Sequence, residues 1–242
     1  MLDAIVADGG RSSLSEIARH VGTPLATAHR QVATLVAESY LVPSGRGRHV
    51  AGVRLRNLAR QVDDKRVVTT VAPPVLFHLA TRVRSIAQFG TLEGEMVTYH
   101  IKTGRSAANL FTRVGMQLEA YCSAIGKVLL AHLPTEEQEA YLSGGPFVAL
   151  TDRTITSPPA LRQEFEDIRA RGFAIDDGEI AADLRCLAVP VRRPDGEVLA
   201  AISVSRLTTA ATRHSDAALA GILVEAARQI ESVAFADPSR TI

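Results

Sequence analysis

Residues 172 to 206 read Gly-Phe-Ala-Ile-Asp-Asp-Gly-Glu-Ile-Ala-Ala-Asp-Leu-Arg-Cys-Leu-Ala-Val-Pro-Val-Arg-Arg-Pro-Asp-Gly-Glu-Val-Leu-Ala-Ala-Ile-Ser-Val-Ser-Arg. Two extended runs, Leu184 to Arg192 and Val198 to Arg206, flank the turn residues Pro194-Asp195-Gly196, so the stretch predicts a β-hairpin. Strand side chains alternate between faces. Ala201, Ser203 and Ser205 therefore share one face, and Ile202 and Val204 the other. Cys186 sits on the partner run, and Asp176 precedes it by ten residues. A few polar groups on an apolar hairpin match a small-ligand pocket. Residue types alone leave a second account open: serine and cysteine also pack inside buried strands, with Asp176 in a loop.

Outward from the hairpin, the body alternates helical and extended patterns. Pro73-Pro74 marks a boundary, after which a helix is expected over about 74–84. Ser85 to Leu92 and Glu95 to Thr103 predict a hairpin turning at Glu93-Gly94, and Asn109 to Val114 a further strand. Tyr121 to Lys127 leads into a helix stopped by Pro134, and its opening is a run of free N–H groups, which suits an anion. Ordinary capping by Ser123 is the competing account. Thr135 to Gln138 reads as a capping box, and Ser157-Pro-Pro heads a helix closed by Gly172. A final helix follows His214-Ser-Asp, with Leu219, Ile222, Leu223, Ala226, Ile230 and Val233 as its apolar stripe and a fraying tail behind it. This body is α+β: hairpins forming one antiparallel sheet, flanked by helices.

The 242 residues carry a net charge of +1, unevenly spread. Residues 1–62 hold eight arginines against four acidic residues, so a head of +4 precedes a body of −3. A basic head suits a polyanion. Two cysteines, Cys122 and Cys186, give neither a disulfide framework nor metal-ligand spacing, and no cofactor is expected. With no signal peptide and no apolar run near the ~18 residues of a membrane span, a cytoplasmic protein is expected.

The head predicts three helices and a basic hairpin. Leu2, Ile5 and Val6 mark the first helix, ended by Gly9-Gly10. Ser13-Leu-Ser-Glu16 is a capping box, with Leu14, Ile17, Ala18 and Val21 on one apolar face. Gly22 breaks the helix, and Thr23-Pro24 starts a third, with Thr23 as N-cap. Over 24–39, Leu25, Ala28, Val32, Leu35 and Val36 face inward. Ala26, Thr27, Arg30, Gln31 and Thr34 form the free face, and Thr23 and His29 border it. This is a helix-turn-helix whose second helix fits the major groove. Arg46 and Arg48, at the Gly45/Gly47 tip of the 40–50 hairpin, would lie as a wing over the DNA backbone or minor groove. The predicted domains are a winged helix-turn-helix over 1–52, a helical linker over 53–72 and an effector-binding domain over 73–237.

Together these residues resemble the IclR-type bacterial transcription regulators. The resemblance rests on Leu-Ser-Glu-Ile-Ala-Arg (14–19), Thr-Ala-His-Arg (27–30), Ala-Thr-Leu (33–35), Ala-Ile-Gly-Lys-Val-Leu-Leu-Ala (124–131), and the 172–206 stretch. It implies a winged helix-turn-helix joined to a GAF-like effector domain, in a homodimer or tetramer that represses or activates catabolic operons. It also implies effector contacts at Asp176, Cys186, Ser203 and Ser205, and at the Ala124 and Ile125 backbone amides. Three features depart from the family pattern. Members usually carry more residues before the first helix, which leaves open a shortened contact between DNA-binding heads or a misassigned start. Asp183 stands where a glycine is usual, which implies an altered loop there, and Glu119-Ala-Tyr121-Cys replaces the commoner Pro-Leu-His-Ala, so a more polar pocket wall and a different effector are expected.

The expected function is DNA-binding regulation of a pseudo-palindromic operator, modulated by a small organic acid that carries a hydroxyl or a hydrated carbonyl. The rival reading is an enzyme or sensor that uses Cys186 or Ser203 without binding DNA. A nucleophile needs a base within reach, and no motif pairs any of the seven histidines with Cys186.

Overall fold

The computed structural model describes residues 1–105, 107–208 and 214–236; the tail expected to fray, from 237 on, lies outside them. Its contacts resolve into two units, Met1–Asp63 and Asp64–Ile242.

The first unit contains α1 (Leu2–Asp8), α2 (Leu14–His20), α3 (Leu25–Ala37), the hairpin β1 (Leu41–Gly45) and β2 (Arg48–Ala51), and α4 (Val53–Gln61). Ile5, Leu14, Ile17, Ala18, Ala28, Val32 and Leu41 form its core. The capping box closes in both directions: the Ser13 N–H donates to Glu16 Oε2 at 2.7 Å, and the Glu16 N–H to Ser13 Oγ at 3.4 Å. The start of α3 differs from expectation. Pro24, not Thr23, is the N-cap, and no side chain caps the helix. The Thr23 N–H is instead drawn back to the Ala18 carbonyl at 2.9 Å, closing the turn between α2 and α3. Leu25, expected inward, is 45% exposed.

The second unit follows as α5 (Asp64–Val83), β3 (Ile86–Glu93), β4 (Met96–Thr103), β5 (Gln117–Glu119), α6 (Ala124–Ala131), α7 (Thr135–Ser143), α8 (Pro158–Arg171), β6 (Ala174–Asp177), β7 (Leu184–Arg192), β8 (Val198–Leu207) and α9 (Asp216–Ala234). The strands form one antiparallel sheet in the order β5-β4-β3-β8-β7-β6. Alternation divides its side chains between two cores. Ala87, Phe89, Leu187, Val189, Ile202 and Val204 pack with α5 and α9. Val97, Tyr99, Cys186, Ala188 and Ala201 pack with α6 and α8 on the other face. Burying each large apolar side chain contributes about 1.5–3 kcal/mol. Pro190 is tolerated in β7 because β6 pairs only with Arg185–Ala188, which leaves that end of β7 without a neighbour on the β6 side.

Four local expectations are corrected. Pro73 and Pro74 lie inside the 20-residue α5 rather than before a new helix. A proline there frees a carbonyl one turn back. The carbonyls concerned belong to Thr69 and Thr70, and Thr70 is exposed to water. Asn109 to Val114 is not a strand. Residues 107–109 make a 3-10 turn, the Gly115 N–H turns the chain by bonding to the Tyr99 carbonyl, and Gln117–Glu119 takes the sheet edge. The capping box at Thr135 does not form, because the Gln138 amide donates to the Leu130 carbonyl at 2.7 Å and Pro134 is the N-cap. On α9, Val233 is 59% exposed and falls off the apolar stripe.

Candidate functional site

The small-residue face of the sheet builds a cavity under α6. Register places Asp176 beside Cys186 and Cys186 beside Ser205, across three strands. The next row carries Ala174, Ala188, Ser203 and Gln88. Asp176, Ser203 and Ser205 are at most 1% exposed. The first turn of α6 closes over these rows. Ser123 accepts the Gly126 N–H at 3.1 Å, and its carbonyl accepts the Lys127 N–H at 2.8 Å. The Ala124 and Ile125 amides take no acceptor among the described residues. Gly126 permits this arrangement: a Cβ there would lie 2.2 Å from the Ala120 carbonyl oxygen.

Ala124, Ile125, Asp176, Cys186, Ser203 and Ser205 thus line one cavity, together with Gln88, Tyr99, Phe111, Thr112, Leu118, Ser123, Ile180 and Leu184. The cavity is small, with about 10 Å³ of free space. That is room for about one water molecule. Tyr121 and Cys122, expected in the wall, are not among its lining residues. The Tyr121 hydroxyl donates to the Val148 carbonyl at 2.6 Å, and its ring packs against Phe147.

The electrostatics centre on Asp176. Its Oδ1 accepts the Glu179 N–H at 2.7 Å, while Oδ2 has no partner among the described residues. Burial pushes the carboxyl up to about 6, against the opposing pull of the Glu179 amide and the Lys127 charge. Glu179, whose Oε2 is likewise unpartnered, is raised by burial to about 7. Lys127 is 1% exposed and bonds to both Glu179 and Glu164, the latter at 3.1 Å. Burial holds the Cys186 thiol well above its ordinary value, so it is a neutral S–H rather than a nucleophile.

Gln88, Tyr99 and Thr112 are polar lining groups that the reading of 172–206 missed. For Gln88 a signal exists: it is the one strongly polar residue in the run Ile86 to Leu92, on the face opposite Phe89. Tyr99 and Thr112 carry no local mark of their own.

In the first unit, Ala26, His29, Arg30, Gln31 and Thr34 are exposed on α3, while Thr23 and Thr27 are half-buried. The Thr34 hydroxyl donates back to the Arg30 carbonyl at 3.2 Å. Arg46 is exposed at the hairpin tip in a left-handed conformation (φ 52°) between Gly45 and Gly47, and Arg48 is half-buried. Burial and the nearby His29 hold His49 below its ordinary pKa. Among the described residues no helix is long and apolar enough to cross a membrane.

A family model described as the bacterial transcriptional regulator IclR C-terminal domain matches residues 49–232, and the IclR helix-turn-helix domain matches residues 1–45. The chain is 31% identical over 222 residues to the HTH-type transcriptional regulator XynR of Escherichia coli K12, covering 91% of this chain and 87% of XynR. The Agrobacterium tumefaciens repressor BlcR is similar in structure, with TM-score 0.72, 25% identity, and 96% and 92% of the two chains covered. So is an IclR homologue of Microbacterium hydrocarbonoxydans solved in complex with 4-hydroxybenzoate, with TM-score 0.63, 32% identity, and 91% and 90% covered.

Proposed function

The chain belongs to the IclR family of DNA-binding transcriptional regulators, which are not enzymes, and we propose that it switches a catabolic operon in response to a small hydroxylated organic acid. Residues 1–52 are the DNA-binding domain, 53–72 the linker and 73–237 the effector domain. Arg30, Gln31, Ala26, Thr27 and Thr34 face the major groove, flanked by Thr23 and His29. Arg46 and Arg48 meet the sugar-phosphate backbone or minor groove. A homodimer or tetramer reads a pseudo-palindromic operator.

The observation that carries the effector reading is the pairing of opposite unmet needs in one buried cavity. Ala124 and Ile125 offer N–H donors at a helix start, and Asp176 Oδ2 is an acceptor without a donor. A carboxylate answers the first, with support from the Ser203 and Ser205 hydroxyls. A ligand hydroxyl answers the second, and Asp176 repels a second carboxylate when ionised. The Microbacterium relative solved with 4-hydroxybenzoate carries both groups on its ligand. Because the cavity holds about one water, its lining shifts to admit such a ligand.

Calorimetry with 4-hydroxybenzoate and a panel of small hydroxy and keto acids tests this reading. Ser203→Ala is expected to weaken binding of the cognate acid by about 0.5–1.5 kcal/mol if its bond is neutral, and by more if it meets a carboxylate. Asp176→Asn is expected to weaken hydroxylated acids selectively. Unchanged affinity in both variants would move the effector elsewhere.

A further inference from the structure

Between β4 and β5 the chain crosses the mouth of the cavity. It inserts Thr112, 3% exposed, into the lining; Phe111 also lines the cavity while 44% exposed, and Val114 stays outside it at 63% exposure. Its far end is tied to β4: the Gly115 N–H donates to the Tyr99 carbonyl at 2.7 Å, and the Tyr99 N–H to the Met116 carbonyl at 3.0 Å. Residues 110–112 have a different kind of anchor, made of side chains. Gln88 Nε2 donates to Thr112 Oγ1 at 2.8 Å. Lys102 Nζ donates to the Leu110 carbonyl at 2.8 Å and to the Thr112 carbonyl. Gln88 is itself oriented from the other side, because Ser205 Oγ donates to its Oε1 at 2.9 Å.

We propose that Gln88 is a positioning residue that latches the 110–114 segment over the effector cavity, and that Ser205 couples this latch to occupancy. The proposal rests on reading the cavity as the effector site. Ser205 has one proton, and here it is committed to Gln88. A ligand oxygen that accepts from Ser205 takes that proton and leaves Gln88 Oε1 without its donor. The Gln88 amide is then free to turn, and its bond to Thr112 is released. A ligand hydroxyl that accepts from Ser205 and donates to Gln88 Oε1 keeps the amide in place. Ligands that merely fit are thereby separated from ligands that leave the cavity closed.

The latch can be tested without an effector, because Cys186 lines the cavity while Cys122, also buried, does not. Full-length protein is treated with methyl methanethiosulfonate at pH 8, and each cysteine is followed by peptide mass spectrometry. Thr112→Val keeps the shape of the side chain and removes the acceptor; Gln88→Met removes the donor. Each is expected to speed Cys186 modification at least about tenfold while Cys122 stays at its wild-type rate. Thr112→Ser, which retains the hydroxyl, is expected to match wild type. Wild-type Cys186 rates in both Thr112→Val and Gln88→Met would overturn the latch. So would a parallel rise at Cys122, which marks general loosening, or an equal rise in Thr112→Ser. A second arm adds 4-hydroxybenzoate and the acid panel to wild type. If none changes the Cys186 rate in either direction, the effector reading fails while the labelling of the variants still decides the latch.

Discussion

One substitution, glycine to alanine, is expected to have opposite effects at two helical positions of the second unit. Gly221 lies in α9 with nothing within 4 Å of a Cβ. Alanine there gains up to about 1 kcal/mol of helix propensity and restricts the unfolded chain, so a stabilisation of about 0.5–1 kcal/mol follows. Gly126 gains the same propensity, but its Cβ meets the Ala120 backbone at 2.2, 2.4 and 2.6 Å. No side chain can rotate away to relieve those contacts. Overpacking costs about 1–3 kcal/mol where neighbours can shift, and backbone neighbours place Gly126→Ala at or above the upper end. After the propensity gain, a net loss of about 2 kcal/mol remains. At about 2–4 °C per kcal/mol for a unit of this size, melting followed by circular dichroism should fall by about 4–8 °C for Gly126→Ala and rise by about 1–4 °C for Gly221→Ala. The displacement also moves the Ala124 and Ile125 amides, so acid binding should weaken in the first variant and not in the second. Equal melting temperatures for the two variants would refute the claim that α6 starts where it does because Gly126 lets it touch Ala120.

Other outcomes follow from the buried charges and the first unit. Lys127→Met leaves Glu179 buried without its cation, while Glu164 keeps Arg171 at 2.8 Å, and should cost about 3–5 kcal/mol in urea unfolding, with partial recovery on adding Glu179→Gln. Asp176 and Glu179 are raised from 3.8 and 4.5 to about 6 and about 7, so the folded state holds their protons more tightly than the unfolded state. Their contribution is most favourable below pH ~4 and is lost as pH rises to ~7. Asp176→Asn should therefore gain stability relative to wild type across that window, and a flat difference would count against it. Arg30→Ala should weaken specific operator binding by about 1–3 kcal/mol, whereas Arg46→Ala should weaken all duplexes alike and lower the salt dependence by about one ion; gel shifts at several salt concentrations separate the two.

Much of this architecture was legible because it depends on local pattern. The 184–206 hairpin followed from Pro194-Asp195-Gly196 between two apolar runs, and β7 and β8 pair there. The division of Ser203 and Ser205 from Ile202 and Val204 needed only the period of two. Ser13 and Glu16 announced the start of α2 through adjacent chemistry. Where sequence reading fell short, a distant partner decided. Gln138 leaves its capping role for the Leu130 carbonyl, and Thr23 is claimed by Ala18. The prolines of α5 look like a break in sequence, yet the helix continues with its next turns buried at Leu76 and Leu79 against the sheet. Gln88 and Thr112 join the cavity from segments 24 residues apart, and no spacing rule brings them together.

The register of the sheet bears on how such a protein can change what it senses. Asp176, Cys186 and Ser205 occupy one row across three strands, and Ser203 and Gln88 the next, all on a single face. Every alternate residue belongs to a different core, filled by α5 and α9. A lineage can therefore exchange chemical groups along these rows one codon at a time while the residues that hold the sheet to its outer helices stay untouched. On the proposed effector reading, heritable change in signal is thus uncoupled from the integrity of the scaffold.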